Sequence, residues 1–373
     1  MMNSKKMVAH LTSAHSRFDT RIFLKECKSL ARFGYDVSMI VADGKGDDIQ
    51  NNIAIYDVGA SKGRLDRIRN APRRVLMKAI ELDADIYHLH DPELIPIGLK
   101  LKKYGKIVIF DAHEDVPKQL LGKPYLNMPI KLLLSKVFTI FELFAYRRLD
   151  AVVAATPYIR DKFIALGVHT VDVNNFPLLG ELSTGEIDWT HKKNEAAYVG
   201  GISQIRGIYQ IVQAMDMTLS KIELQLAGKF NEATVELAVQ SDKGWYKVNA
   251  LGTVSRVGVR DLLTRCIAGL VTFLPAPNHI DAQPNKMFEY MSAGVPIVGS
   301  NFPLWKEIIE GNSCGLCVDP LDPQAIANAL DFLVAHPKEA EEMGRNGQKA
   351  VHEKYNWTIE ETKLLDLYHS IQN

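Results

Sequence analysis

Apolar residues in this chain come in short runs separated by stretches of helical period. In the first half, Met7–Leu11, Val37–Val41, Ile53–Val58, Asp85–Leu89, Lys106–Phe110 and Ala151–Ala155 read as strands. Between them lie helical patterns. Asp19 caps one that ends at Gly34, a basic one runs from Ser61 to Leu82, Asp91-Pro92 opens one that reaches Tyr104, and a long apolar one covers Pro129–Leu149. Such alternation predicts a parallel, doubly wound α/β sheet. It stops between Asn174 and Lys193, where a polar stretch containing Pro and Gly keeps no period and reads as a linker. It then restarts, with Ala196–Val199, Ile222–Ala227, Tyr246–Ala250 and Gly269–Leu274 as strands and Arg206–Met215, Glu232–Gln240 and Val259–Arg265 as helices. Thr358 and Glu361 make a capping box for a last helix to Ile371.

Composition narrows the class. The 373 residues suffice for two domains of about 150 residues each, and 47% hydrophobic with 24% charged residues is a globular balance. Lys+Arg and Asp+Glu both number 44, so no overall field for nucleic acid is expected. No run of 18 apolar residues suggests a membrane span, and the start MMNSKKMVAHL does not read as a secretory leader. Four cysteines fit a reducing, cytoplasmic setting. Cys314-Gly-Leu-Cys317 has metal or redox spacing but no second pair, and reads as buried thiols around a turn.

Candidate chemistry concentrates in residues 275–310. A loop rich in Pro, Asn, Asp and Gln leads through Pro284 into a short helix, Lys286 to Ser292, which stops at Gly294 before the strand Val295–Gly299. The N-terminus of that helix is a ready anion site. Asp281 and Glu289 flank it, and carboxylates of this kind read the hydroxyls of a sugar or ribose. Upstream, Tyr198-Val-Gly200-Gly201-Ile-Ser-Gln-Ile-Arg206-Gly207 follows a strand and opens a helix. Its glycines would let backbone approach a ligand and Arg206 would hold phosphate, while a purely structural turn explains the same residues equally well. His113 lies just past a strand end, where open α/β sheets bind ligands. His88-Leu-His90-Asp91 puts alternate residues on one face, as a metal site would, but its apolar flanks and the capping role of Asp91 favour structure. Asp83-Ala-Asp85 lies at the wrong end of its strand for a ligand and reads as a turn.

The stretch from Asp281 to Pro296 resembles the donor-site signature of retaining family 4 glycosyltransferases of the GT-B fold. That signature has two glutamates with seven residues between them, then Met, Gly and a Pro-Val-Val strand. Here Asp281 stands for the first glutamate, and Glu289, Met291, Gly294 and Pro296 occupy their places. In the glycine-rich turn, Gly201 replaces the family's arginine and Arg206 its lysine, so Lys286 is the candidate for the missing charge. The resemblance covers nearly the whole chain. It implies two Rossmann-like domains facing each other across a cleft: an acceptor domain of residues 1–175 joined by the terminal helix 358–373, a donor domain of residues 194–357, and a linker of residues 176–193.

By the same resemblance the activity is retaining transfer of a sugar from a nucleotide-sugar to a glycan acceptor, without metal or cofactor. UDP-sugar is favoured by family frequency. The acceptor is expected to be lipid-linked, in cell-surface polysaccharide or O-antigen synthesis. Gly200, Gly201, Arg206, Asn285, Lys286, Met287 and Glu289 would hold the donor, Asp281 and His113 would meet the sugar, and His15, Arg17 and Asp19 would border the acceptor. The basic stretch Lys62–Lys78 and the apolar segment Pro129–Arg148, with Phe138, Phe141 and Phe144, imply peripheral docking on an anionic membrane at its cytoplasmic face. Two other functions stay open: a nucleotide-sugar 2-epimerase, whose acid/base set is not evident, and a non-catalytic nucleotide-sugar-binding subunit, suggested by Gly201 and Asp281. A nicotinamide enzyme is excluded, because neither strand–helix joint carries Gly-x-Gly-x-x-Gly.

Overall fold

A computed structural model describes residues 5–122, 127–183, 185 and 187–372. It divides into two compact units, Met1–Asn175 with Ile359–Asn373, and Phe176–Thr358. In the first unit eight strands form one sheet: β1 (Met7–Leu11), β2 (Asp36–Val41), β3 (Asp48–Gln50), β4 (Ile53–Asp57), β5 (Ile86–Leu89), β6 (Ile107–Ala112), β7 (Ala151–Ala154) and β8 (Thr170–Asp172). Their order is β3-β4-β2-β1-β5-β6-β7-β8. Only β3 runs antiparallel to its neighbour; the other pairs are parallel. The chain winds outward in one direction from β1 and in the other from β5, so the topological switch point lies between them. Both strands are almost wholly buried, as parallel strands covered on two faces must be.

The helix Trp357–Ser370 brings the end of the chain back into this unit. Tyr368 is fully buried with its hydroxyl 3.0 Å from His88 Nδ1, and Glu360 accepts the Asn174 N–H at 2.7 Å.

Several local features differ from the sequence pattern. The basic stretch is two helices, Arg64–Arg69 and Ala71–Leu82, meeting at Asn70 with Pro72 in the first turn of the second. Asp19 accepts from the N–H groups of Arg21 and Ile22, but the turn it opens is a π-helix, Ile22–Cys27, before regular helix resumes. Asp91 does not cap its helix; its carboxylate turns to the Thr12 hydroxyl at 2.8 Å and the Ser13 N–H at 2.7 Å. The apolar helix, Met128–Tyr146, buries little beyond Glu142, Ala145 and Tyr146. Ile130, Leu133, Leu134, Val137, Ile140 and Phe144 form an exposed stripe along it.

The second unit has six strands: β9 (Lys193–Val199), β10 (Glu223–Ala227), β11 (Val248–Gly252), β12 (Cys266–Val271), β13 (Ile297–Ser300) and β14 (Gly315–Val318). They are all parallel, in the order β11-β10-β9-β12-β13-β14. This is the doubly wound dinucleotide-fold order, with its switch point between β9 and β12. The stretch expected as a linker folds into this unit, because Phe176 and Leu182 each find a place in its core and Pro177 accepts the Trp357 N–H. The helix expected from Arg206 is broken at Gly207. Residues Gln204–Arg206 make one turn of 3-10 helix, and the α-helix is Ile208–Met217. Gly207 has φ +80°, and a Cβ there would lie 2.1 Å from the Thr272 carbonyl oxygen, so only glycine lets this turn pass the end of β12.

Candidate functional site

Each unit gathers polar side chains where its strands end around the switch point. In the second unit, β9 runs into Gly200-Gly201 and the 3-10 turn bearing Arg206. Beyond the end of β12, the loop through His279 and Asp281 leads to the helix Asn285–Ser292. Pro284 precedes that helix with extended backbone and among the described residues no side chain caps it; the Met287 N–H turns back to the Pro284 carbonyl at 3.0 Å, which leaves those of Asn285 and Lys286 for a ligand at the helix end. Asn285 at that end is exposed, whereas Met287 is fully buried in the core. Asp281 is half-buried in the preceding turn. His279 is held by the Leu274 carbonyl, 3.0 Å from its Nδ1.

Lys286 is the unusual residue here. Its side chain is buried, and among the described residues its Nζ has no hydrogen-bond partner. The ammonium lies 3.5 Å from the centre of the Tyr198 ring, a cation–π contact, beside Gly200. Burial holds its pKa well below the usual lysine range, and the Arg206 guanidinium adds to the effect. Arg206 donates to the Gly201 carbonyl at 2.9 Å, and a Cβ on Gly201 would sit 2.7 Å from its Nη1. The cation on position 206 therefore folds over the spot from which an arginine at 201 would start. Glu289, one turn along the helix, pairs with Arg256 at 2.7 Å, and Arg256 in turn reaches Glu181 at 2.8 Å. The sequence reading had no role for Arg256, whose partners lie 33 and 75 positions away.

In the first unit, β1, β5 and β6 deliver Thr12, His90-Asp91 and Asp111 to His113 at the same sheet end. Asp111 is fully buried and receives Arg21 through Nε and Nη2, both at 2.7 Å. Its Oδ2 also lies 2.9 Å from His113 Nε2 and 3.3 Å from His90 Nδ1. Burial would raise its pKa, but Arg21 above all holds it well below the usual carboxylate range. His90 Nε2 lies 2.9 Å from His10 Nδ1. Burial lowers the His90 pKa to about 4 and takes His10 and His88 well below 6.5. It raises that of the neighbouring Glu26, so burial disfavours the charged form of each of these groups.

His15 is half-exposed between Asp19 (3.3 Å) and Asp91 (3.5 Å), with its ring 4.9 Å from that of His113. Burial opposes its charge, but the two carboxylates raise its pKa overall. Asp19 is lowered in return by His15 and the backbone N–H groups it caps, against its own burial. Arg17 is buried and spent on Asp43 at 2.7 Å and the Gly46 carbonyl at 2.8 Å, which places it in loop structure. Asp83 and Asp85 lie at the opposite end of β5, where Asp85 accepts the Met7 N–H.

Two groups here have ligand-type atoms close enough for an ion: His10, Glu26, His88 and His90, and His90, Asp111 and His113. In the first, the His10 and His90 rings are within 13° of parallel with centroids 5.1 Å apart, so the two nitrogens at 2.9 Å aim at one another. That is the geometry of an N–H···N hydrogen bond. Aimed along one line at each other, the two nitrogens do not converge on a common point where an ion would take a lone pair from both. Cys314 is buried against the Ile309 carbonyl, its thiol pushed up to about 12 by burial.

Comparison with known proteins agrees with both units. The model "Glycosyltransferase Family 4" matches residues 20–174, and "Glycosyl transferases group 1" matches residues 183–350. An uncharacterized glycosyltransferase of Methanocaldococcus jannaschii is 26% identical over 175 residues, a match spanning 46% of this chain and 43% of that protein. Among solved structures, sucrose-phosphate synthase from Thermosynechococcus elongatus superposes with a TM-score of 0.77 at 16% identity, over 98% of this chain and 99% of that one. Anabaena HepE in complex with UDP-glucose gives 0.73 at 14% identity, over 98% and 99%. A trehalose-phosphate synthase from Burkholderia xenovorans gives 0.72 at 14% identity, over 99% and 100%. These likenesses establish the GT-B fold, and each unit carries a match to a glycosyltransferase domain, family 4 in residues 20–174 and group 1 in residues 183–350.

Proposed function

We propose that the protein moves a sugar, with retention, from a UDP-sugar to a lipid-linked glycan acceptor in cell-surface polysaccharide synthesis. The observation that carries this reading is Lys286. A buried ammonium with no hydrogen-bond partner is expensive, and a diphosphate bound beside it would supply the missing acceptors. Arg206 and the N–H groups of Asn285 and Lys286 lie toward the same spot and would stabilise the charge that builds on the leaving phosphate. Glu289 takes the ribose hydroxyls, held in aim by Arg256; Asp281 and His113 take the sugar. The HepE structure contains UDP-glucose, which favours UDP as the nucleotide.

In the reaction the acceptor oxygen bonds to the anomeric carbon as the bond from that carbon to the phosphate oxygen breaks. The electron pair leaves with the phosphate, and the acceptor's proton passes to it on the same face. No metal ion takes part on this reading.

The exposed stripe of the helix Met128–Tyr146 supports docking on anionic lipid. Lys136, Arg147 and Arg148 are exposed at its margin and end, and its single acid, Glu142, is buried. Among the described residues no helix is long and apolar enough to cross a membrane.

A thermal-shift panel of UDP-, GDP- and dTDP-sugars on wild type and Glu289→Ala tests the donor assignment. Stabilisation by a UDP-sugar that is lost in the variant is expected. A panel with no shift at millimolar ligand would overturn it.

A further inference from the structure

The buried polar chain under His113 has a direction that its chemistry forces. Asp111, fixed in a two-point pair with Arg21, is an acceptor only. His113 Nε2, 2.9 Å from its Oδ2, must therefore carry a proton, and His90 Nδ1, which lies nearer to that same charged oxygen (3.3 Å) than to His113 Nε2 (3.5 Å), donates to the carboxylate as well. A neutral His90 with its proton on Nδ1 has a lone pair on Nε2, so His10 must donate to it from Nδ1 across 2.9 Å. Each ring is thereby assigned one tautomer, and the remaining nitrogen of His113, Nδ1, makes no hydrogen bond among the described residues. The His113 side chain is 22% exposed, while those of His10, His90 and Asp111 are not exposed at all.

We propose that Asp111 is the positioning residue for His113, fixing its imidazole as the Nε2–H tautomer so that Nδ1 meets the substrate. Arg21 and the His10–His90 pair hold the carboxylate in place for that task. The inference rests on the reading of His113 as a sugar-contacting residue. The neighbouring carboxylate oxygen anchors one ring nitrogen in a dry setting, so the other keeps a fixed aim without occupying solvent-facing partners. With the proton on the other nitrogen, an imidazole in the same position presents the sugar hydroxyls with a donor in place of an acceptor.

Long-range 1H–15N spectra of histidine-labelled protein test this, with the His113 signals identified by their loss in His113→Gln. Wild type is expected to show His113 protonated at Nε2, and His90 and His10 at Nδ1. In Asp111→Asn the amide can donate to Nε2, so His113 is expected to switch to the Nδ1–H form. Its kcat should fall at least tenfold while the donor KM stays within about threefold. A wild-type His113 protonated at Nδ1 overturns the proposal even if the variant fails to fold, as does Asp111→Asn with wild-type kcat. The donor thermal shift is read on the same samples: correct tautomers without any nucleotide-sugar binding would sink the transferase reading and leave the tautomer assignment standing.

Discussion

Acid should unlock the first unit through its buried histidines, and His90 gives a magnitude. Its imidazole would take a proton near pH 6.5 in the unfolded chain but only at about 4 in the folded one. Between those values the unfolded state binds more protons, so this contribution is complete above pH 6.5 and drains away as pH falls toward 4. For a shift of that size the linkage relation gives a loss of about 2 kcal/mol by pH 5 and about 3 kcal/mol by pH 4. His10 and His88 act in the same direction. Tryptophan fluorescence is the wrong probe, because Trp189, Trp245, Trp305 and Trp357 all belong to the second unit. Hydrogen exchange of the β1 and β5 amides, read by mass spectrometry in increasing urea at pH 7 and pH 5, reports the right region. Wild type should lose stability there on acidification, and His90→Gln should lose about 2 kcal/mol less. Equal losses in the two proteins, or a wild type as stable at pH 5 as at pH 7, would refute the reasoning.

Two further outcomes are expected. Lys286→Met should raise the melting temperature of the ligand-free protein by a few degrees, since it removes a buried polar amine with no hydrogen-bond partner among the described residues and keeps most of the side-chain volume, while abolishing the shift given by nucleotide-sugar; a ligand-free variant no more stable than wild type would count against the apo strain. Leu133→Glu with Ile140→Glu should reduce co-sedimentation with phosphatidylglycerol vesicles at least tenfold and leave solution binding of the donor unchanged, and equal sedimentation would remove the case for this helix as the docking face.

The architecture was legible because pattern is a local property: apolar runs such as Val37–Val41 and Ala151–Ala155 are too short for helices and bounded by turn and cap residues, and they form buried strands. Boundaries slipped where a single backbone conformation decided them, as at Gly207, whose close approach to Thr272 no pattern of hydrophobicity encodes. Asp91 misled for a similar reason, since a residue spaced to cap a helix was claimed by the loop after β1, 77 to 79 positions away. The glycine turn, Lys286 and Glu289 stood out as a segment, and the structure brings them to one strand-end site. Their supporting partners did not stand out. Asp111 is 90 positions from Arg21, and Arg256 is 33 from Glu289, so only the fold shows that they meet. Exposure was the least legible quantity: the composition of Met128–Tyr146 suits a core as well as it suits a surface, and nothing in its period distinguishes them.

The return of residues 359–373 to the first unit has a consequence for how the chain is made. During synthesis β1 to β8 emerge early, yet His88 and Asn174 find Tyr368 and Glu360 only after every residue of the second unit has been produced. The unit begun first is thus completed last. An arrest in translation anywhere in the second half would release a nascent chain whose amino-terminal sheet still exposes the seat of its final helix. Chaperones guarding that seat would have to remain engaged until residues 359–373 have emerged from the ribosome.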